Sequence, residues 1–234
     1  MKIFAISDTH LSGEPPFKPM NIFGEQWLNH WQKIKTDWSN VVGPEDIVLL
    51  PGDLSWAMKL EDAQPDLIAI AALPGQKFLI RGNHDYWWQT LAKMQRLCPP
   101  SLHFIQNNYY ELPELNLALC GTRGWIVPAD PAFTETDQVI YNREIGRLRL
   151  SLQAARSAGH QSIITLLHYP PLMQGEGEKS NGFLDLLDEF AVKHCLYGHL
   201  HDKSVEFAFT GRRRETEFHL VSCDALQFKL KRII

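Results

Sequence analysis

The chain has 234 residues, and its 23 lysines and arginines against 27 aspartates and glutamates give a net charge of −4. With 44% hydrophobic and 11% aromatic residues, the composition is that of a globular protein and excludes a disordered tail, a collagen and a coiled coil. The slightly acidic balance disfavours nucleic acid as a partner, because duplex-binding proteins gain affinity from clustered lysine and arginine.

The sequence predicts neither a membrane anchor nor an exported protein. No apolar stretch approaches the ~20 residues that a membrane-spanning helix needs, and the apolar run within residues 1–8 is too short for a signal peptide. The four cysteines are far apart and form no CxxC pair, which disfavours a disulfide framework or a zinc ribbon. We therefore expect a reducing, cytoplasmic location.

Short apolar runs alternate with helical patterns along the chain. The runs that predict strands are 2–7, 46–50, 77–80, 162–167 and 194–197. The patterns that predict helices are 25–40, 61–72, 88–97, 136–157 and 182–192. This alternation is typical of mainly parallel strands covered by helices on both faces. The fourth helix is the clearest, because its apolar residues recur as one stripe: Tyr141, Ile145, Leu148 and Leu152.

Two further regions, 102–122 and 204–230, contain short β-rich segments without a convincing helix between them, and they predict a second sheet. We expect the two sheets to stack face to face, with helices outside, in one domain that covers residues 1–234. The basic cluster at residues 210–214 separates two β-like runs and is interpreted as a solvated hairpin turn.

Three long loops are predicted, at residues 12–24, 123–134 and 173–181. Loops of this length in a compact domain commonly frame a functional site. Within the third, residues 175–180 superficially resemble a phosphate-binding loop. They lack the glycine before the lysine and carry two acids, so they are interpreted as a mobile surface loop.

Residues with metal-binding side chains follow the end of each predicted strand. They are Asp8, His10, Asp53, Asn83, His84, Asp85, His168, His199 and His201. Because the carboxyl ends of parallel strands gather at one edge of a sheet, we expect these side chains to lie close together. Burying several carboxylates and imidazoles together is unfavourable unless a cation lies among them.

The ligand types indicate which cation this is. Imidazole nitrogen together with carboxylate and amide oxygen suits Mn²⁺, Fe²⁺ or Zn²⁺, whereas Ca²⁺ and Mg²⁺ prefer oxygen alone. Even seven of these nine side chains are too many ligands for one such ion, but they are enough for two ions that share a bridge. A pair of metal ions is a known device for in-line displacement at phosphorus.

The ordered blocks D-x-H, G-D, G-N-H-[DE], H and G-H-x-H run from residue 8 to residue 201. They resemble the pattern of the calcineurin-like metallophosphoesterases, and the short chain is similar to the small bacterial members. The resemblance implies a double β-sandwich flanked by helices, a four-layer αββα arrangement. It also implies that two metals are held by one set of side chains: Asp8, His10 and His201 for one, Asn83, His168 and His199 for the other, and Asp53 as the bridge.

The same resemblance implies that His84 is the catalytic histidine, which contacts the phosphate and assists the leaving group, and that Asp85 orients it. The implied activity is that of a dinuclear metal-dependent phosphohydrolase, which cleaves a phosphomonoester or phosphodiester of a small substrate, for example a nucleotide-like one, through a metal-activated hydroxide. The arginine motif that a phosphoprotein phosphatase needs beside Asp53 is not visible, because Leu54, Ser55 and Trp56 follow it.

Two alternatives stay open. One is a nuclease that acts on single strands or ends, which the net charge of −4 disfavours. The other is a non-catalytic scaffold that keeps the metal site to bind a protein partner. Such a scaffold would be expected to have lost ligands or the catalytic histidine, and here all of them are present.

Four residues are candidates for substrate binding. Trp56 and Trp125 could stack on a base or a phenyl group, with core packing as an equal alternative. Arg123 and Arg143 could hold a second phosphate group, although a salt bridge with neighbouring acids is an equal alternative for Arg143. For two further tryptophans, at positions 87 and 88, core packing is the favoured interpretation.

Overall fold

The computed structural model describes residues 1–175 and 180–234, and the chain divides into two compact units. The first unit consists of residues 1–104 and 221–234, and the second consists of residues 105–220. Each unit is built around one sheet. The assignment of residues 1–234 to a single domain stays a prediction.

The elements follow one another in a mixed order of strands and helices. The strands are β1 Ile3–Ala5, β2 Ile47–Leu50, β3 Gln76–Leu79, β4 Leu102–Phe104, β5 Tyr110–Leu112, β6 Leu117–Thr122, β7 Ser162–Leu167, β8 His194–Tyr197, β9 Gly211–Arg213, β10 Thr216–Leu220 and β11 Lys231–Arg232. The α-helices are α1 His30–Val41, α2 Leu60–Ala71, α3 Leu91–Leu97, α4 Glu135–Ser157 and α5 Gly182–Glu189.

The sheet of the first unit has the order β11-β1-β2-β3-β4. Strands β1 to β4 are parallel, and β11 closes one edge in the antiparallel sense. Apolar residues of these strands pack with buried residues of the helices, such as Trp38 of α1, Leu67 of α2 and Met94 of α3. This core keeps the strands in register, so the loops that follow β1, β2 and β3 start from one edge.

The sheet of the second unit has the order β5-β6-β7-β8-β10-β9. Its four central strands, β6, β7, β8 and β10, are parallel, and β5 and β9 are antiparallel edges. Helix α4 begins with a capping box in which Thr134 and Asp137 satisfy each other's backbone N–H groups. The fold class of two multistranded sheets flanked by helices is therefore confirmed.

The five strands predicted from apolar runs are confirmed within one or two residues at their ends. The helices differ more at their starts. The pattern at 25–40 begins as a 3-10 turn over Glu25–Trp27 before α1, and α3 starts only at Leu91. There Thr90 caps the helix by accepting the Lys93 backbone N–H. Trp87 and Trp88, which precede this cap, are buried, so the core-packing interpretation of both is confirmed.

Two details of the predicted second sheet differ in the structure. A hairpin turn is present, but it lies at residues 214–215, because Gly211–Arg213 forms β9 and only Arg214 of the basic cluster is in the turn. Arg213 is buried, and its guanidinium lies 3.0 Å from a carboxylate oxygen of Asp188, which neutralises it. The stretch Asp202–Phe207, expected to be β-rich, forms a 3-10 helix.

The loop at residues 123–134 contains neither helix nor strand, and the loop at 12–24 contains only a 3-10 turn at Met20–Phe23. The third predicted loop falls partly outside the described residues, since 176–179 are not described. Its interpretation as a mobile surface loop therefore lies outside them too. Across 1–175 and 180–234, no helix combines the length and the apolar character required to cross a membrane.

The side chain of Lys77 in β3 predicts a pH dependence of stability. Lys77 is 1% exposed, and its amine donates hydrogen bonds to the carbonyls of Ala71 and Leu73 at the end of α2. Burial lowers the pKa of this amine from 10.5 to about 8. Between these two values the unfolded chain binds more protons than the folded chain, so the free energy of unfolding should rise with pH.

We expect Lys77→Met to remove this rise, which is at most about 1.4 kcal/mol per pH unit for one group. Urea unfolding of both proteins at several pH values between 7.5 and 10.5 measures it. The comparison cancels the titration of other groups, such as the buried Cys120, whose burial raises its pKa to about 12. Parallel curves for the two proteins would contradict the assignment to Lys77.

Candidate metal centre

In the first unit, three predicted metal ligands lie buried beyond the ends of β1 and β2. Asp8, His10 and Asp53 are 0%, 4% and 2% exposed. Carboxylate oxygens of Asp8 and Asp53 lie within 4.8 Å of each other, and Nε2 of His10 lies 3.8 Å from Oδ2 of Asp53. Two carboxylates this close and this deeply buried repel each other, so the arrangement favours a cation between them.

The backbone at these positions is in the left-handed region, which side chains other than glycine adopt at an energetic cost. The φ angles are 59° at Asp8, 47° at His10 and 53° at Asp53, and in the second unit 72° at His199. Such conformations persist only where the surroundings enforce them, and they cluster at functional sites. Four of the seven predicted metal ligands share this feature.

Backbone hydrogen bonds join the two turns that carry these ligands. The N–H of Asp8 donates to the carbonyl of Gly52 at 3.0 Å, and the N–H of His10 donates to the carbonyl of Asp53, also at 3.0 Å. The pairing continues where the N–H of Leu11 donates to the carbonyl of Leu54 at 2.9 Å. The register of β1 with β2 therefore extends into the site and sets the distance between its carboxylates.

Asp85 holds the turn at Asp53 in place. Its fully buried carboxylate accepts the backbone N–H groups of Asp53, Leu54 and Gly82 at 2.8, 2.9 and 2.7 Å, and the indole N–H of Trp87 at 2.9 Å. This support of the Asp53 turn was not anticipated from the sequence. Orientation of His84 by Asp85 stays a prediction.

Two glycines allow these turns to meet. Gly52 has a φ of 91°, and a Cβ on Gly82 would lie 2.1 Å from Oδ1 and 2.3 Å from the backbone nitrogen of Asp53. No side chain fits at position 82 unless Asp53 moves. The glycines of the G-D and G-N-H-D motifs thus have a steric reason to precede their ligands.

His84 lies next to Asp53 but is held by its backbone. Its N–H donates to Oδ1 of Asp53 at 2.7 Å, and its half-buried ring lies 4.5 Å from the ring of Trp56 and 5.8 Å from that of His10, between centroids. The backbone contact ties the position of His84 to the turn that carries the predicted bridge. The rings of Trp56 and His10 limit the orientation of its imidazole.

Trp56 stacks on the ring of His10 at 4.6 Å and packs against the core of the first unit, and its indole N–H donates to the sulfur of Met20. The amine of Lys18 lies 3.0 Å from the centroid of the Trp56 ring, and burial lowers its pKa. Lys18 was missed from the sequence, because nothing distinguishes one lysine within a long loop. These contacts support the core-packing alternative for Trp56, and stacking on a substrate stays a prediction.

In the second unit, histidines follow the ends of β7 and β8. The rings of His168 and His199 lie 5.1 Å apart, and the N–H of Gly198 donates to the carbonyl of His168 at 3.1 Å. His201 follows two residues after His199. The N–H groups of His168 and Tyr169 both donate to the carbonyl of Arg123, which follows β6. The second unit thus brings together two imidazoles and a guanidinium-bearing residue at the carboxyl ends of adjacent strands.

Glu144 of α4 is fully buried, and its carboxylate forms ion pairs with three arginines. Its carboxylate accepts the hydroxyl of Thr122 at 2.5 Å and lies 2.8 Å from the guanidinium of Arg147 and 3.7 Å from those of Arg123 and Arg143. Arg143 thus forms a salt bridge with a neighbouring acid, and its contact with a substrate stays a prediction. Glu144 was missed, although the sequence carries one indication of it: it lies three residues after Tyr141 and four before Leu148, on the apolar stripe.

Trp125 has several partners of its own. Its indole N–H donates to Oδ1 of Asp137 at 2.9 Å, and its ring lies 4.4 Å from the guanidinium carbon of Arg123 and 5.0 Å from the ring of Tyr169. The cation–π contact and the Glu144 pairing fix the guanidinium of Arg123 from two sides. The side chains of this region are thus rigidly placed.

The residues present fit divalent metal ions. The first unit offers two buried carboxylates, an imidazole and the Asn83 amide, and the second offers the three predicted histidines. Hard oxygen and borderline nitrogen donors suit Mn²⁺, Fe²⁺ or Zn²⁺. Within the first unit the two carboxylates and the His10 imidazole lie close together, and within the second unit the rings of His168 and His199 do.

Replacing Gly82 tests the contact between the two turns. We expect Gly82→Ala to displace Asp53, to destabilise the protein by about 2–4 kcal/mol and to lower its metal content. The matched control is Gly146→Ala, because a Cβ at this position in α4 meets nothing within 4 Å. That change should stabilise the protein by about 0.5–1 kcal/mol. Chemical unfolding and metal analysis measure both, and equal behaviour of the two variants would refute the steric argument.

The family described as calcineurin-like phosphoesterase matches residues 1–203, whereas no curated protein matches the chain. Among solved structures, TT1561 of Thermus thermophilus is 15% identical, covers 99% of this chain and 97% of its own, and has a TM-score of 0.61. The calcineurin-like phosphoesterase YfkN from Bacillus subtilis is 13% identical, covers 95% of this chain and 81% of its own, and has a TM-score of 0.53. These two similarities show a shared fold. Because the family match spans most of its length, the chain belongs to the calcineurin-like phosphoesterase family.

Proposed function

We propose that this protein is a dinuclear metal-dependent phosphohydrolase that cleaves a phosphomonoester or phosphodiester bond of a small substrate. Metal-dependent hydrolysis of phosphoesters is the general chemistry of its family. The observation that carries the proposal is the buried cluster of Asp8, His10 and Asp53, whose two carboxylates lie within 4.8 Å in strained backbone. Such a cluster is costly to keep unless it binds a cation.

The proposed ligands are those of the family pattern. They are Asp8, His10 and His201 for one ion, Asn83, His168 and His199 for the other, and Asp53 as the bridge. The order of the motifs supports this set, as do the contacts within each unit. The mixed donors favour Mn²⁺, Fe²⁺ or Zn²⁺. When bound, the ions lower the pKa of coordinated water and neutralise charge on the phosphoryl oxygens.

His84 is the proposed catalytic residue. Its imidazole donates a proton to the oxygen of the leaving group and contacts the phosphate. Its backbone hydrogen bond to Asp53 supports this role, because it keeps the imidazole beside the predicted bridge. Asp85 acts indirectly, since its carboxylate accepts the backbone N–H groups that hold Asp53.

Substrate contacts are proposed for Arg123, with Trp125 beneath its guanidinium. The backbone of Arg123 is bonded to His168, and its side chain is fixed by Glu144, so a bound phosphate oxygen meets a preorganised donor. Arg143, whose side chain is half-exposed, pairs with the same carboxylate and adds positive charge there. Base stacking on Trp56 is disfavoured, because His10 and Lys18 already contact its ring.

The cytoplasmic location stays a prediction. All four cysteines are free and buried, which agrees with a reducing compartment: Cys98, Cys120, Cys195 and Cys223.

Removal of metal tests the reaction class. We expect exhaustive chelation to abolish hydrolysis of bis(p-nitrophenyl) phosphate and p-nitrophenyl phosphate, and Mn²⁺ to restore it, because the buried carboxylates provide ligands and no nucleophile of their own. Turnover and metal content are measured on the same samples. Full activity of a sample stripped of its metal would refute the proposal.

His84→Asn tests the proton donor. The variant should keep its metal content and lose turnover by about 10²–10⁴-fold, the range typical of general acid–base groups. The loss should be larger for alkyl phosphate esters than for nitrophenyl esters, because an alkoxide needs a proton as the bond breaks and a nitrophenolate does not.

The matched control is His103→Asn, which changes another half-buried histidine of the same unit that contacts Gln76 and Phe78. It should leave turnover essentially unchanged, because the ring contacts Gln76 and Phe78 of β3 and none of the proposed ligands. If His84 were a metal ligand instead, the variant would lose metal and excess Mn²⁺ would rescue it. Equal losses in both ester classes with full metal content would contradict proton donation by His84.

A further inference from the structure

A second group of metal-binding side chains lies in the second unit, at the start of β8 and within β10. His194 is the register partner of Glu217, and His219 follows Glu217 by two residues. Because side chains alternate along a strand, Glu217 and His219 project from the same face of the sheet. His194 opens β8, whereas His199 follows its end, so the two histidines are separated by the whole strand, about 10 Å at ~3.3 Å per residue.

The three side chains are spaced like ligands of one ion. Nδ1 of His194 lies 3.1 Å from Nε2 of His219 and 3.7 Å from Oε2 of Glu217, and one atom from each residue lies within 4.8 Å of the other two. A tetrahedral ion with bonds of about 2.0–2.1 Å separates its ligand atoms by about 3.3 Å. Little movement is needed to place a metal among these atoms.

The donor set and the burial also suit a metal. Two imidazoles and one carboxylate are a known three-residue zinc set, which leaves a fourth position for water. His219 is 6% exposed, whereas the side chains of His194 and Glu217 are 22% and 41% exposed, so solvent reaches a site whose inner ligand is fixed by packing. Arg212 of β9 is the register partner of Glu217. The positive charge of Arg212 disfavours a nearby cation, and the negative charge of the Glu217 carboxylate offsets this repulsion.

We propose that His194, Glu217 and His219 form a zinc site separate from the dinuclear centre. A bound Zn²⁺ joins β8 to β10 and stabilises this part of the second sheet. The competing arrangement is a hydrogen bond between two neutral imidazoles beside a solvated glutamate.

The test counts zinc in the full-length protein. The chain is stripped with chelator, loaded with excess Zn²⁺, passed through a desalting column and analysed for metal per chain. We expect His194→Gln and Glu217→Gln each to retain one zinc ion fewer than the unchanged protein. Because the result is a difference between variants, zinc bound elsewhere cancels, and the outcome is independent of the dinuclear proposal.

The matched control is His160→Gln. His160 is half-buried in the same unit, and its Nε2 lies 3.3 Å from Oε2 of Glu111. This variant therefore tests whether one histidine beside one glutamate is enough to retain zinc. This variant should retain the zinc content of the unchanged protein. Equal zinc in the unchanged protein, His194→Gln and Glu217→Gln would overturn the proposal, and so would an equal loss in His160→Gln.

A second measurement guards against misfolding. Zn²⁺ should raise the thermal unfolding midpoint of the unchanged protein and of His160→Gln by more than that of Glu217→Gln. Glu217 is the safest position to change, because its side chain is the most exposed of the three. An equal Zn²⁺-induced shift in Glu217→Gln, with circular dichroism matching the unchanged protein, would argue against the site.

Discussion

The candidate centre of the first unit depends on the close approach of two turns. Gly52 and Gly82 let the backbones meet where a Cβ at position 82 would overlap Asp53, and Asp85 secures the contact with hydrogen bonds to both turns. The carboxylate of Asp53, the imidazole of His10 and the backbone of His84 all take their positions from it. A local steric constraint thus places side chains from three separate strand ends.

The buried carboxylate of Glu144 differs from those of Asp8 and Asp53 in the groups that surround it. Glu144 is surrounded by guanidinium groups of its own chain, so its burial is compensated internally and its neighbourhood is rigid. Asp8 and Asp53 lie near each other and near the imidazole of His10, and these oxygen and nitrogen ligands suit a divalent ion. The first arrangement orders positive charge near His168, and the second offers ligands. In the proposed function both serve the binding of an anionic ester, through different means.

Five of the eleven described strands could be predicted one by one, because each is a short apolar run that is buried in its sheet. The starts of α1 and α3 could not, because a 3-10 turn and a buried pair of tryptophans occupy positions that fit a helical pattern. The burial of Arg213 within the basic cluster could not be predicted, because it depends on Asp188, 25 residues away in sequence. Local pattern carries no information about such a partner.

The sequence by itself determined the family, the strand–helix alternation and the candidate metal ligands, because the motifs sit in turns next to strands and are local. Only the tertiary structure decided which residues support them. Asp85 meets Leu54 and Glu144 meets Thr122 through pairing of strands and packing of helices. The joining of His194 with His219 likewise depends on the register of β8 with β10. Contacts between residues distant in sequence follow from that register and packing, which no single segment encodes.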